Sequence, residues 1–340
     1  MLMRAWLLPD TTGPDALRLE EVETPEPGPG QVRVAMKVAG LNHLDLWVSR
    51  GLPAPHRLPH VPGADGAGLI DAVGEGVTGW QVGDEIIINP SQSCGRCEAC
   101  VHDRMMFCRS YTILGEHESG TLAEQVVVSA RSVVTRPSSI DWPVAGTFGL
   151  VAGTAYRMMS RSRLESGETV LVVGVGGGVS SAAMLIARAL GARVFVTSRS
   201  PQKIAWAVAH GAEAGFDSAT EFSKAVKGAV GGVDVVVENV GEATWDQSVR
   251  SLDPGGRLVV CGATAGNRVE LFLPVLWFKQ LEVIGSTMFT RSEFARVLHL
   301  VESGKVAIPV DRMFPFEELP QALAHLDAAD QIGKIGLELS

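Results

Sequence analysis

The sequence predicts an α/β chain of two parts, a small β-barrel and an open parallel sheet sandwiched by helices. Three observations predict it. The stretch to about residue 150 is short strands and turns, punctuated by Pro25, Pro27, Gly28, Pro29 and Gly30, then by Gly63, Gly66, Gly68, Gly74, Gly76, Gly79 and Gly83. From about Val151 the texture changes to strands alternating with helices, the pattern of a doubly wound sheet. Between them, Cys94, Cys97, Cys100 and Cys108 crowd into fifteen residues.

In the first part, Gln31–Val38 alternates apolar and polar residues, as a half-buried strand should. The glycines beyond it are expected to break the next segment into small-barrel pieces. In the second part, Val170–Val173 is a continuous apolar run suited to burial on both faces of a parallel sheet. A helix from Ala182 to Leu190 is ended by Gly191. Arg193–Thr197, Val233–Glu238 and Arg257–Cys261 read as further strands, with helices over Lys203–His210 and Thr244–Leu252. Glu293–Glu302 reads as a helix, and the tail from Lys305 as short, proline-broken elements. There is no internal repeat and no low-complexity linker.

The spacing C-x2-C-x2-C-x7-C lets tight turns aim four thiolates at one point, which suits tetrahedral zinc. Four sulfurs fill the coordination sphere, so such a site holds a loop together and activates no water. An iron–sulfur cluster is the rival occupant, since four thiolates also hold one. Two disulfides do not suit an enzyme-sized chain with cytosolic character. Cys261, in an apolar run, reads as a buried inert thiol.

A length of 340 residues allows two sizeable cores, and 46% hydrophobic with 20% charged residues is ordinary for a globular enzyme. The net charge of −9 argues against nucleic acid or an anionic membrane as partner. Pro9 and Asp10 come too soon after the start for a signal-peptide core, and no apolar run suits a membrane span. A cytoplasmic location is expected.

Gly174-Val175-Gly176-Gly177-Gly178-Val179-Ser180 lies between a strand and a helix, where a dinucleotide's pyrophosphate sits. Glycines there allow the turn and a close backbone approach, and Ser180 is small enough to stand for the third glycine. About twenty residues on, an NAD enzyme would place an acid on the ribose hydroxyls. Here the stretch is Thr197-Ser198-Arg199-Ser200-Pro201-Gln202-Lys203, with no acid. Ser198, Arg199, Ser200 and Lys203 suit a 2′-phosphate, so NADP(H) is expected; the alternative is that both basic side chains are merely solvated.

Together these features resemble the medium-chain dehydrogenase/reductase superfamily over essentially the whole chain. Gly40-Leu41-Asn42-His43-Leu44-Asp45 and Pro62-Gly63-Ala64-Asp65-Gly66-Ala67-Gly68 match its two N-terminal motifs in position. The resemblance implies a GroES-like substrate domain over 1–150 with the thiol lobe at 94–108, a Rossmann domain over 151–286, and a return to the substrate domain over 287–340. The lobe looks like the structural zinc of alcohol dehydrogenases, one ion per subunit. The positions of that family's catalytic-zinc ligands fall on Asn42, on Trp47 or Ala64, and near Leu150, so a catalytic zinc is not expected. Asn42 and Asp45 instead match the Asn-x-x-Asp of quinone oxidoreductases and enoyl reductases.

The same resemblance implies roles for individual residues. By it, Asn42 is a candidate hydrogen-bond donor to the reacting carbonyl or a nicotinamide contact, or a turn-stabilising amide. Asp45 organises the pocket, and Thr154 lies near the nicotinamide. Asn239, Gly262, Ala263, Met288 and Lys334 border the cofactor. His43 is a further candidate proton donor, set against its offset of one residue from Asn42. The implied activity is NADP(H)-dependent reduction of an enone, quinone or conjugated aldehyde without a catalytic metal. The alternatives are an alcohol or aldehyde dehydrogenase of the same superfamily and an inactive cofactor-binding protein. A small-molecule substrate and a homodimer, paired through the apolar Val275–Phe278 and Leu281–Gly285 stretches at the sheet edge, complete the expectation.

Overall fold

A computed structural model describes residues 1–339. The chain divides into two compact units. The first takes residues 1–150, 290–298 and the segment from Pro309 onward; the second takes 151–289 and 299–308.

The first unit is built on a seven-stranded sheet. Its path runs Val310–Pro315, Lys334–Glu338, Gln31–Leu41, Asp65–Val73, Glu85–Ile88, Val133–Thr135, and Gln125–Ser129 also pairs with Gln31–Leu41. A separate antiparallel pair, Leu2–Leu7 with Arg18–Glu23, packs Met3, Ala5 and Trp6 into the same core as Val32, Val34 and Ile70. Gly66 and Gly68 do not break the chain here, contrary to the expectation, but lie inside the nine-residue strand Asp65–Val73. A side chain at Gly68 would meet the Ala35 carbonyl oxygen at 2.1 Å, and one at Gly66 the Met36 side chain at 2.3 Å. These glycines admit the neighbouring strand where its register shifts between Met36 and Val38.

The second unit is a six-stranded, all-parallel sheet. Its spatial order is Ala214–Asp217, Arg193–Ser198, Thr169–Val172, Val233–Glu238, Leu252–Val260, Glu282–Gly285. Numbered along the chain this is 3-2-1-4-5-6, the doubly wound order whose reversal falls between Thr169–Val172 and Val233–Glu238. Val170, Leu171, Val172, Val235 and Val236 are fully buried, as continuous apolar parallel strands require.

The α/β expectation of a barrel-type sheet with a doubly wound one after it holds, with three further local differences. The helix after the glycine turn is Gly178–Ala189, beginning before the alanine-rich run that announced it. The tail contains a ten-residue helix, Leu319–Ala328, whose Pro320 sits in the first turn, where a missing N–H has no cost. The apolar stretch before the last sheet strand contains the helix Leu273–Lys279.

Candidate functional site

The second unit assembles its glycine turn at the sheet's reversal point. Gly174 and Gly176 have φ of +73° and +114°, backbone that side chains rarely adopt. Gly177 caps the helix Gly178–Ala189 without a side-chain hydrogen bond, and a side chain built on it would meet nothing within 4 Å. The first-turn N–H groups of a twelve-residue helix therefore lack a side-chain cap beside open space, which fits a pyrophosphate. Gly177, Gly178 and Val179 are half-buried, and Ser180 is buried.

Ser180 does more than substitute for a glycine. Its Oγ donates to the Val173 carbonyl at 3.1 Å and accepts from Asn239 Nδ2 at 3.0 Å. Asn239 opens a loop that the fully buried Glu238 pins from below. That carboxylate accepts from the backbone N–H groups of Val240 and Gly241 and from the hydroxyls of Thr244 and Ser248. The loop through Gly262 and Ala263 lies on this one, with Thr264 N–H donating to Asn239 O and Ala265 N–H to Val240 O. Asn239, Gly262, Ala263 and the glycine turn are thus brought together.

At the end of the next strand, Ser198 is buried and its Oγ accepts from Ser200 N–H at 3.2 Å. Ser200 caps the helix Pro201–Ala209 and accepts from Lys203 N–H. Arg199 is exposed. The aliphatic chain of Lys203 crosses the turn so closely that a side chain on Gly176 would strike its Cδ at 2.3 Å. Thr154 is buried in the helix Gly149–Arg161, which meets the segment after the edge strand at Gly153, where an added Cβ would lie 2.2 Å from the Phe289 ring. Met288, in that segment, has a φ of +45°, a strained value of the kind that collects at working sites. Burial pushes the Cys261 thiol up to about 12, with Glu238 adding to it, so this cysteine is inert.

In the first unit a buried polar cluster forms where three strands run side by side. Gly40 pairs with Asp65 on one side and Gly336 on the other, and Leu41 pairs with Ile335, so Asn42, Asp65 and Lys334 converge. Gly40 has no room for a side chain: a Cβ would lie 2.6 Å from Gly146 O and 2.9 Å from Asp65 Cβ. Lys334 Nζ donates to Leu41 O at 2.6 Å, Asn42 Oδ1 at 2.5 Å and Asp65 Oδ2 at 3.2 Å. Asp65 Oδ2 also accepts from Asn42 Nδ2 at 3.0 Å, and Oδ1 from Leu150 N–H at 2.6 Å. Three acceptors around one amine are the full complement of an ammonium, and the carboxyl opposite accepts three donors across its two oxygens. Asp45 Oδ2 accepts from Asn42 N–H at 2.7 Å and Oδ1 from Gly63 N–H at 3.1 Å, fixing the start of the helix His43–Ser49.

Burial raises Asp65 and lowers Lys334, and their mutual attraction opposes both shifts. Asp45, with no cation in contact, is pushed up by burial to about 7.

Lys334, assigned to the cofactor, turns its ammonium inward and is 2% exposed. Asn42 has one Nδ2 hydrogen and its Oδ1 committed internally, leaving a single N–H for any ligand. Asp65 and Glu238 were missed as site-builders. The side-chain partners of Asp65 lie 23 to 269 residues away and leave no local spacing to read, whereas those of Glu238 lie within ten residues.

The four lobe cysteines fit a metal. Their sulfurs lie within 4.8 Å of one another, with separations of 3.9 Å for Cys94–Cys100, 3.6 Å for Cys97–Cys100 and 3.6 Å for Cys94–Cys108. A zinc tetrahedron with arms of about 2.3 Å has edges of about 3.8 Å. Among the described residues this is the one group of three or more His, Cys, Asp or Glu side chains arranged for a metal. The Asn42 cluster offers an amide, carboxylates already accepting N–H groups and an ammonium, which is no cation site. Elemental analysis is expected to find one zinc per chain, held through Cys97 and its partners. A Cys97→Ser variant should lose it while cofactor binding survives; two tightly bound zinc ions per chain would contradict this.

Comparison with known proteins agrees with this anatomy. Residues 28–138 match the alcohol dehydrogenase GroES-like domain, and residues 178–303 the zinc-binding dehydrogenase family. The chain belongs to the medium-chain dehydrogenase/reductase superfamily of oxidoreductases. An acryloyl-coenzyme A reductase from Metallosphaera sedula is 31% identical, covering 93% of this chain and 95% of its own. A solved NAD-dependent alcohol dehydrogenase is 38% identical, with a TM-score of 0.96 over 99% of this chain and 100% of its own. A cobalt- and zinc-bound thermostable alcohol dehydrogenase from Pyrobaculum aerophilum is 34% identical, with a TM-score of 0.91 over 100% of both chains. Among the described residues no helix is long and apolar enough to cross a membrane.

Proposed function

We propose that this protein is an NADP(H)-dependent reductase of carbon–carbon double bonds conjugated to a carbonyl: enones, quinones, conjugated aldehydes or enoyl thioesters. The observation that carries the reading is the Asn42–Asp65–Lys334 cluster, in which the residue at the sequence position of the family's first catalytic-zinc ligand is an amide already bonded to a carboxylate and an ammonium, not a ligand for the Lewis acid that alcohol oxidation needs. The bound nicotinamide supplies the hydride. The chain's own residues hold the pyrophosphate at the Gly174–Gly178 turn and the 2′-phosphate at Arg199 and Lys203. Asn42 presents its remaining N–H to the carbonyl oxygen, where negative charge develops as hydride reaches the β-carbon. Asp45 fixes the backbone that carries Asn42. Thr154 and Met288 border the nicotinamide on this reading. The similarity to an acryloyl-coenzyme A reductase supports the conjugated-alkene class.

A second reading, an alcohol dehydrogenase, is favoured by the similarity to the NAD-dependent alcohol dehydrogenase. The experiment is a panel of NADPH- and NADH-linked rates with enoyl thioesters, enones, quinones, aldehydes and alcohols. Alcohol oxidation with NAD as the fastest reaction would select the second reading.

The protein acts as a homodimer on this reading. Glu282–Gly285 is a sheet edge, and beside it Phe278 is 81% exposed, Phe272 74% and Trp277 58%. An open edge flanked by apolar side chains invites pairing with a second copy. Light scattering at micromolar concentration is expected to give a dimer, and Phe278→Glu to shift it toward monomer. A monodisperse wild-type monomer would contradict this.

A further inference from the structure

We propose that Lys334 is a positioning residue for the Asn42 carboxamide, holding it in the one orientation that leaves an N–H for the reacting carbonyl. The inference rests on the reading of Asn42 as that donor. A carboxamide is nearly symmetric in shape, so its orientation is set by its neighbours. Asp65 accepts from Nδ2, and Lys334 donates to Oδ1, so the two ends are distinguished by opposite charges. Asp65 alone would not hold this arrangement. Without the ammonium its buried carboxylate has no counter-charge and takes up a proton. A protonated carboxyl both donates and accepts, so it satisfies the carboxamide in either orientation. In the flipped state the uncommitted group at Asn42 is a carbonyl oxygen, which repels a developing oxyanion. The ammonium also polarises the amide it bonds, making the remaining N–H a better donor.

The test uses the zinc-loaded full-length protein and three variants, Lys334→Met, Lys334→Ala and the double variant Asp65→Leu with Lys334→Met. The double variant removes both charges together, so it keeps the test open if a single variant fails to fold. Lys334→Met is expected to lower kcat by about 100-fold, the scale for losing an oxyanion donor. KM and the NADPH Kd should stay within about threefold, since no substrate or cofactor contact is removed. The double variant should fold and be as slow. Lys334→Ala should be as slow as Lys334→Met, again with KM and the NADPH Kd unchanged, a split that a merely destabilised fold would not give. A folded Lys334→Met or double variant with wild-type kcat overturns the proposal. So does a tenfold loss of NADPH affinity with kcat retained, which would return Lys334 to the cofactor. If wild type reduces none of the conjugated substrates, the functional reading fails, and orientation is read without activity. With 15N-labelled asparagine, wild type should show one sharp, slowly exchanging pair of Asn42 side-chain N–H signals that shifts or broadens in Lys334→Met as the carboxamide exchanges between two orientations. An unchanged pair overturns the proposal.

Discussion

Replacing Asp65 with leucine is expected to destabilise the first unit by about 3–5 kcal/mol, among the largest effects a single residue can have here. Lys334 would keep two neutral acceptors, Leu41 O and Asn42 Oδ1, but lose the one charge in contact with its buried ammonium among the described residues. Leu150 N–H would lose its acceptor as well. Water cannot compensate, because Asp65 is 1% and Lys334 2% exposed. Restoring charge balance with Lys334→Met in the same chain should recover much of the loss, because matched apolar side chains replace a buried pair far better than half a pair does. Urea unfolding monitored by tryptophan fluorescence measures both. A loss below about 1 kcal/mol for the single variant, or no recovery in the double, would show that the pair is not ionised as its hydrogen bonds imply.

The second large effect concerns the cofactor. Removing Arg199 and Lys203 together, as alanines, should weaken NADPH binding by about 100- to 1000-fold and leave NADH nearly unchanged, from two charge-assisted contacts of about 1.5–3 kcal/mol each before the desolvation of the charged groups is set against them. Arg199→Ala alone should account for at least about tenfold. Ser198→Asp added to Arg199→Ala should move preference toward NADH, since an acid at the strand end pairs with ribose hydroxyls and repels a 2′-phosphate. Calorimetry on each variant decides it. Equal wild-type affinities for NADH and NADPH would make both basic residues solvated bystanders, an outcome the NAD-dependent relative keeps in view.

What could be read in the sequence was what is local. Val170–Val173 announced a buried parallel strand, and the glycine turn and thiol lobe carry their chemistry in residues a few positions apart. Glycine misled where its purpose lay elsewhere in the fold: Gly66 and Gly68 serve Ala35 and Met36 on the paired strand, not a turn. Pro320 looked like a breaker, yet it lies in the first turn of a helix. The Asn42 cluster was half legible. Asn42 and Asp45 share a capping arrangement three residues apart, a spacing visible in the sequence. Lys334 reaches them only through the pairing of Lys334–Glu338 with Gln31–Leu41, and strand register across nearly the whole chain has no local signature. Ser180 shows the same limit, since a small residue in a glycine position gave no sign of its bond from Asn239.

The most direct test is the steady-state rate of NADPH oxidation by the one-zinc protein with a short enoyl thioester and a simple enone, set against alcohol oxidation with NAD and NADP. NADPH-linked reduction of a conjugated alkene is expected to be the fastest reaction, at least about tenfold faster with NADPH than with NADH, and lost in Asn42→Ala. Alcohol oxidation as the dominant activity, with Asn42→Ala fully active, would contradict it.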